Sequence, residues 1–144
     1  MELNMSTLSP FHLALPVKDI QKAIDFYHSG LGLPLGRQSK TWVDIDFFGH
    51  QVVFHLAPQG SPLHYNDVDK HDVPVPHFGV VLEKEQWLEL SKKLESQGIE
   101  FKIKPYIRFE GLPGEQGTFF FIDPNGLALE FKTFKNLDQI FAKD

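Results

Sequence analysis

The sequence, 144 residues long, contains no cysteine. That excludes disulfides, thiolate metal sites, thiol nucleophiles and thiol redox chemistry together, and it fits a reducing compartment. Positive charge is also scarce. Fourteen Lys and Arg stand against nineteen Asp and Glu, for a formal charge of −5 and a pI near 5.8. An acidic chain argues against nucleic acid or an anionic membrane as the main partner. No apolar run approaches the roughly 18 residues of a membrane span. The first basic residue is Lys18, so the basic start of a signal peptide is missing and a cytoplasmic location is expected. There is no phosphate loop, dinucleotide fingerprint or Ser-centred nucleophile elbow. Aromatic residues are plentiful, with Phe alone contributing fourteen. The expectation is one globular domain with an aromatic core and a small-molecule partner.

Residues 1–9 show no periodicity and read as a flexible arm. From Phe11 to Val17 the side chains alternate, Leu13, Leu15 and Val17 against His12, Ala14 and Pro16, which is a strand. Asp19 is placed to cap a helix carrying Ile20, Ala23, Ile24, Tyr27 and Leu31 at helical spacing, stopped by Gly30 and Gly32. Three strands follow, over 34–38, 41–48 and 51–57. Residues 58–76 hold four prolines and three aspartates and read as a long loop. Then the order repeats: a strand over 77–82, a helix with Trp87, Leu90, Ser91 and Leu94, and strands over 99–106, 118–122 and 127–134. Superposed at an offset of 65, His12 falls on His77 and the apolar faces coincide. The chain therefore reads as α+β: two βαβββ modules, 10–57 and 77–134, joined by the loop within one domain spanning 10–144.

Facing identifies the residues that could carry chemistry. With the apolar strand faces packed on helices, the opposite faces line a groove. His12, His77 and, from the last strand, Glu130 then point into it, as does His55 from the fourth strand of the first module. Two imidazoles and a carboxylate on one side of a divalent ion leave positions open for substrate and oxygen. Tyr106, Arg108 and Glu115 surround the Gly-rich loop before the final hairpin, where they could bind substrate or relay protons. His64, Asp67, Asp69, His71 and Asp72 fall in the 58–76 segment and read as a solvated loop.

Four segments make the chain resemble the vicinal oxygen chelate superfamily of glyoxalases, extradiol dioxygenases and bleomycin- and fosfomycin-resistance proteins. They are the His-led strand 11–17, the helix segment 23–27 running into Leu31-Gly32-Leu33, the second start His77-Phe78-Gly79-Val80, and the ending 119–130 with its Asp-Pro-Asn-Gly turn and Glu130. The resemblance covers residues 10–134. It implies metal ligation by His12, His77 and Glu130, with Fe2+ or Mn2+ favoured over Zn2+ or Ni2+, and a homodimer. It also implies chemistry on vicinal oxygens, as in an extradiol dioxygenase; a glyoxalase-like lyase or isomerase and a non-catalytic binding protein are the alternatives. His55 is either a fourth ligand or an acid/base beside the metal. Gapless superposition of Gly49 on Gly126 puts Val53, not His55, opposite Glu130. Whether the modules pair within one chain or between two stays open.

Overall fold

The alternation seen from Phe11 onward becomes strand β1 (His12–Val17) of a computed structural model that describes residues 8–143. Of the arm expected over 1–9, residues 1–7 lie outside the described residues. The chain forms two compact units, Met1–Gly60 and Ser61–Asp144.

In the first unit the Asp19 side chain accepts the Lys22 N–H at 3.0 Å and starts α1 (Ile20–Ala23). The helix then widens into a π-helical stretch, Ile24–Gly30, with Leu31 N–H donating to the Phe26 carbonyl five residues back. Strands β2 (Leu35–Gln38), β3 (Trp42–Phe47) and β4 (His50–Leu56) complete a sheet of order β1-β4-β3-β2. Strands β1 and β4 are parallel, with His12 paired to Gln51 and Pro16 to His55. The core sits under Tyr27, whose ring stacks on Phe54 at 4.8 Å with both side chains fully buried.

The second unit departs from expectation at its start. Residues expected as a loop form a hairpin of β5 (His64–Val68) and β6 (His71–Val75). Asp69 and Lys70 make its two-residue turn, both at positive φ, as a primed turn requires. The prolines and acidic side chains concealed a short alternation in which Val73 is buried and Val68 half-buried.

The strand expected over 77–82 is also shorter. Only β7 (His77–Phe78) pairs regularly with the last strand, and Val81 adds one isolated bridge to Lys132. Between them Gly79 lies so close to the Glu130 backbone that a Cβ there would fall 1.6 Å from the Glu130 carbonyl oxygen. Helix α2 (Lys84–Ser96) follows, then β8 (Phe101–Arg108), β9 (Gln116–Ile122) and β10 (Ala128–Phe134), in the order β7-β10-β9-β8. Trp87 locks α2 to this sheet: its indole N–H donates to the Phe131 carbonyl at 2.9 Å and its ring lies 5.6 Å from Phe119. Phe119, Phe121 and Phe131, all fully buried, fill the helix side. The alternate residues Thr118, Phe120 and Glu130 therefore occupy the other face. Strand, helix and three strands recur in each unit, so the architecture is α+β.

Candidate metal centre

The last hairpin places Glu130. Buried Asp123 accepts the backbone N–H of both Asn125 and Leu127 at 2.8 Å, and Gly126 supplies the positive φ that reverses the chain. Strand β10 then runs beside β7 with Ala128 paired to His77, which sets Glu130 two residues beyond. The His77 Nε2 and a Glu130 carboxylate oxygen meet at 3.1 Å, with side chains 29% and 11% exposed. The other Glu130 oxygen accepts the Thr118 hydroxyl at 2.5 Å. On the far side of the ring, Nδ1 lies 2.7 Å from the Pro74 carbonyl. A carbonyl only accepts, so Nδ1 carries the proton and Nε2 keeps its lone pair in the neutral ring. Phe120 meets the imidazole edge to face at 5.0 Å.

The electrostatics follow from the pairing. The hydrogen bond to Glu130 raises the His77 pKa above its ordinary value against the opposing effect of burial. For Glu130 burial is the largest influence and pushes upward, but hydrogen bonds from His77 and Thr118 outweigh it and hold the carboxyl below its usual range.

His12, in the first unit, has the same preparation. Its Nδ1 meets the Gln51 Oε1 at 2.9 Å, and the Gln51 amide N–H in turn donates to Asp44 at 3.3 Å. The Asp44 carboxylate fixes the amide orientation, so His12 Nδ1 donates and Nε2 is left open on an exposed ring. Among the described residues no group of three or more His, Asp or Glu could hold an ion. The structure brings together His77 and Glu130; His12 belongs to the other unit.

His55 is exposed on β4, four residues beyond the Gln51 that pairs with His12. At about 3.3 Å per residue that is roughly 13 Å along the strand. The register puts Val53, two residues past the partner of His12, at the position corresponding to Glu130 in β10. Tyr106 and Arg108 sit on the Glu130 face of β8, paired to Thr118 and Gln116. The Tyr106 hydroxyl donates to Asp69 at 3.3 Å, and Arg108 Nε lies 2.5 Å from the same carboxylate. Burial, then the Asp69 charge, raises the Tyr106 pKa, so the phenol stays protonated near neutrality. Glu115 accepts the Gly111 N–H at 2.9 Å and closes its own loop.

The sequence pattern leaves Asp69 and His71 solvated. Instead Asp69 holds Tyr106 and Arg108, and His71 lies against the Tyr106 ring at 4.9 Å. Val68 and Val73 pack with Ile103, Phe120 and Tyr106. The Asp69-Lys70 turn between two valine-bearing runs was the available signal.

The family model "Glyoxalase/Bleomycin resistance protein/Dioxygenase superfamily" matches residues 9–131. The chain belongs to this superfamily. A superfamily structure from Alicyclobacillus acidocaldarius is 36% identical, with a TM-score of 0.74, covering 92% of this chain and 96% of that one. The "Glutathione transferase FosA" of Serratia marcescens is 27% identical over 128 residues, 83% of this chain and 76% of the transferase. The fosfomycin resistance protein FosX of Listeria monocytogenes shares the fold, with a TM-score of 0.67 at 20% identity over 94% of this chain and 98% of that one. Among the described residues no helix is long and apolar enough to cross a membrane.

Proposed function

We propose that the chain is a metal-dependent enzyme acting on a small molecule bound through two vicinal oxygens, with His77, Glu130 and His12 as the ligands. The observation that carries this reading is the 3.1 Å approach of His77 Nε2 to Glu130. Two donors at about 2.1 Å from one ion and near a right angle to each other stand roughly 3 Å apart, so the pair is already spaced to share an ion. Each donor also has the outer contact that good ligands have: the Pro74 carbonyl on His77, the Thr118 hydroxyl on Glu130, and Gln51 on His12.

The donor set, two neutral imidazoles and one carboxylate, suits Fe2+ or Mn2+ and leaves several positions open. When bound, such an ion supplies Lewis-acid polarisation of the substrate oxygens. The protein's own residues do the rest. Phe120 and Tyr106 offer apolar walls for a ring on the Glu130 face. Tyr106 stays protonated, and its one hydroxyl hydrogen is held by Asp69. Asp69 fixes Tyr106 and Arg108, so both are oriented before substrate arrives.

The first reading for the reaction is dioxygenation of a catechol-like substrate, supported by the open three-ligand set and the Phe-lined face. The second is addition of a thiol to a small electrophile, favoured by the 27% identity to the transferase of Serratia marcescens. Oxygen uptake over a catechol panel, run beside thiol consumption with small electrophiles, separates them. Catechol-dependent oxygen uptake supports the first; thiol consumption without it supports the second. We place the working unit as a cytoplasmic homodimer in which β1, an outer strand of its sheet, brings His12 to the ion of a second copy.

A further inference from the structure

Two cations on the face that carries Glu130, Arg108 and Lys132, differ in their partners. Arg108 is neutralised by Asp69. Lys132, two residues beyond Glu130 on β10 and half-buried, has no carboxylate within ion-pair distance among the described residues. Its contact is the Gln116 Oε1, 3.4 Å from the ammonium. Gln116 is itself buried and its amide N–H donates to the Gly114 carbonyl at 3.3 Å, which turns the oxygen toward the lysine. Gln116 therefore aims the ammonium and satisfies one of its three N–H groups.

Strand geometry puts Lys132 about 7 Å along β10 from Glu130. Across the sheet it pairs with Thr118, the residue that holds the Glu130 carboxylate. On the same face Phe120 lies directly across from Glu130, with Ile103 and Tyr106 next to it on β8. A half-buried lysine two strand positions from Glu130, on a face that also carries Phe120 and Tyr106, is arranged for a ring with oxygens at one end and an anion at the other. With Glu130 close by, a single negative charge suits the lysine better than a doubly charged phosphate.

We propose that Lys132, steered by Gln116, binds the carboxylate of a dihydroxylated aromatic monocarboxylate whose vicinal oxygens face His77 and Glu130. The assignment of the oxygen end rests on the metal reading above; the assignment of the carboxylate end does not.

The test measures binding of 3,4-dihydroxybenzoate and of catechol to Mn2+-loaded wild type, Lys132→Met and Lys132→Arg, with Mn2+ content determined in each. Wild type is expected to bind the acid at least tenfold more tightly than catechol. Lys132→Met should lose that preference while holding Mn2+ and catechol within twofold, and Lys132→Arg should keep most of it. Equal binding of acid and catechol by wild type, or equal weakening of both in Lys132→Met, overturns the proposal. In a second arm, benzoate is titrated into metal-free protein and followed by NMR. Shifts that vanish in Lys132→Met support the carboxylate site, and shifts unchanged by the substitution reject it. Should wild type bind no Mn2+, the metal reading fails and the benzoate arm alone decides the role of Lys132.

Discussion

Replacing Glu130 by Gln separates the fold from the metal site. The amide keeps an oxygen for the Thr118 hydroxyl and places an N–H beside His77 Nε2, so both contacts of the carboxylate retain a partner. What is lost is charge. Hydrogen bonds to charged groups contribute about 1.5–3 kcal/mol and neutral ones about 1 kcal/mol. The difference is about 1 kcal/mol, and the 29% exposure of His77 screens part of it. For a chain of this length that is a loss in Tm of about 4 °C or less. The metal side is far more sensitive. Removing an outer contact of a ligand costs about 10–100-fold in affinity, and removing the one anionic ligand costs at least the upper figure. Thermal melts and Mn2+ titration by calorimetry on the same preparations give both numbers. A Glu130→Gln protein whose Mn2+ affinity stays within threefold of wild type would refute the ligand assignment, whatever its Tm.

Four further outcomes follow from the same geometry. Gly79→Ala should fail to fold or lose several kcal/mol, since its Cβ would lie 1.6 Å from the Glu130 carbonyl oxygen; a soluble variant melting within a few degrees of wild type contradicts that packing. In metal-free protein the raised His77 pKa adds stability that is complete below its ordinary 6.5 and lost as pH rises through the folded value. The lowered Glu130 pKa adds stability present above its ordinary 4.5 and lost as pH falls through the folded value, so the Tm gap between wild type and Glu130→Gln should peak between those two pH values. A gap that widens above pH 8 would reverse the sign. Asp69→Ala should cost no more than roughly 1 kcal/mol, its side chain being 41% exposed, yet speed amide exchange across β5 and β6; unchanged exchange would show that Asp69 does not tie down the hairpin. Mixing His12→Ala with His77→Ala protein should restore about a quarter of the wild-type metal sites, because half of randomly mixed dimers hold one intact set; no recovery in exchanging dimers would place His12 and His77 of one site in the same chain.

Much of this was legible in the sequence because period-two and helical patterns are set by local burial. His12, His77 and Glu130 could be placed on faces by counting from Leu13, Phe78 and Leu129. The Asp123-Pro124-Asn125-Gly126 turn announced its hairpin through residues with few other uses. The β5–β6 hairpin was not legible: its side chains are largely exposed, so little apolar alternation survives among the prolines and aspartates. The shortening of β7 was hidden for a different reason. Gly79 gives no pattern signal, and only the fold shows that another backbone occupies the space of its side chain. His55 alternated correctly, but facing is not position; cross-strand register, absent from any single strand's pattern, sets it far along β4 from His12. Counting two residues on from Glu130 puts Lys132 on the same face, while its lack of a carboxylate partner depends on which side chains the sheet brings beside it.

If His77, Glu130 and His12 hold one metal ion, pulsed electron paramagnetic resonance on Mn2+-loaded protein detects the imidazole nitrogens on it. Nitrogen couplings from two imidazoles are expected in wild type, from one in His77→Ala and one in His12→Ala where the ion is forced on at high concentration, with His55→Ala unchanged. A wild-type spectrum without imidazole nitrogen, or one that survives the His77 substitution intact, would contradict the shared site.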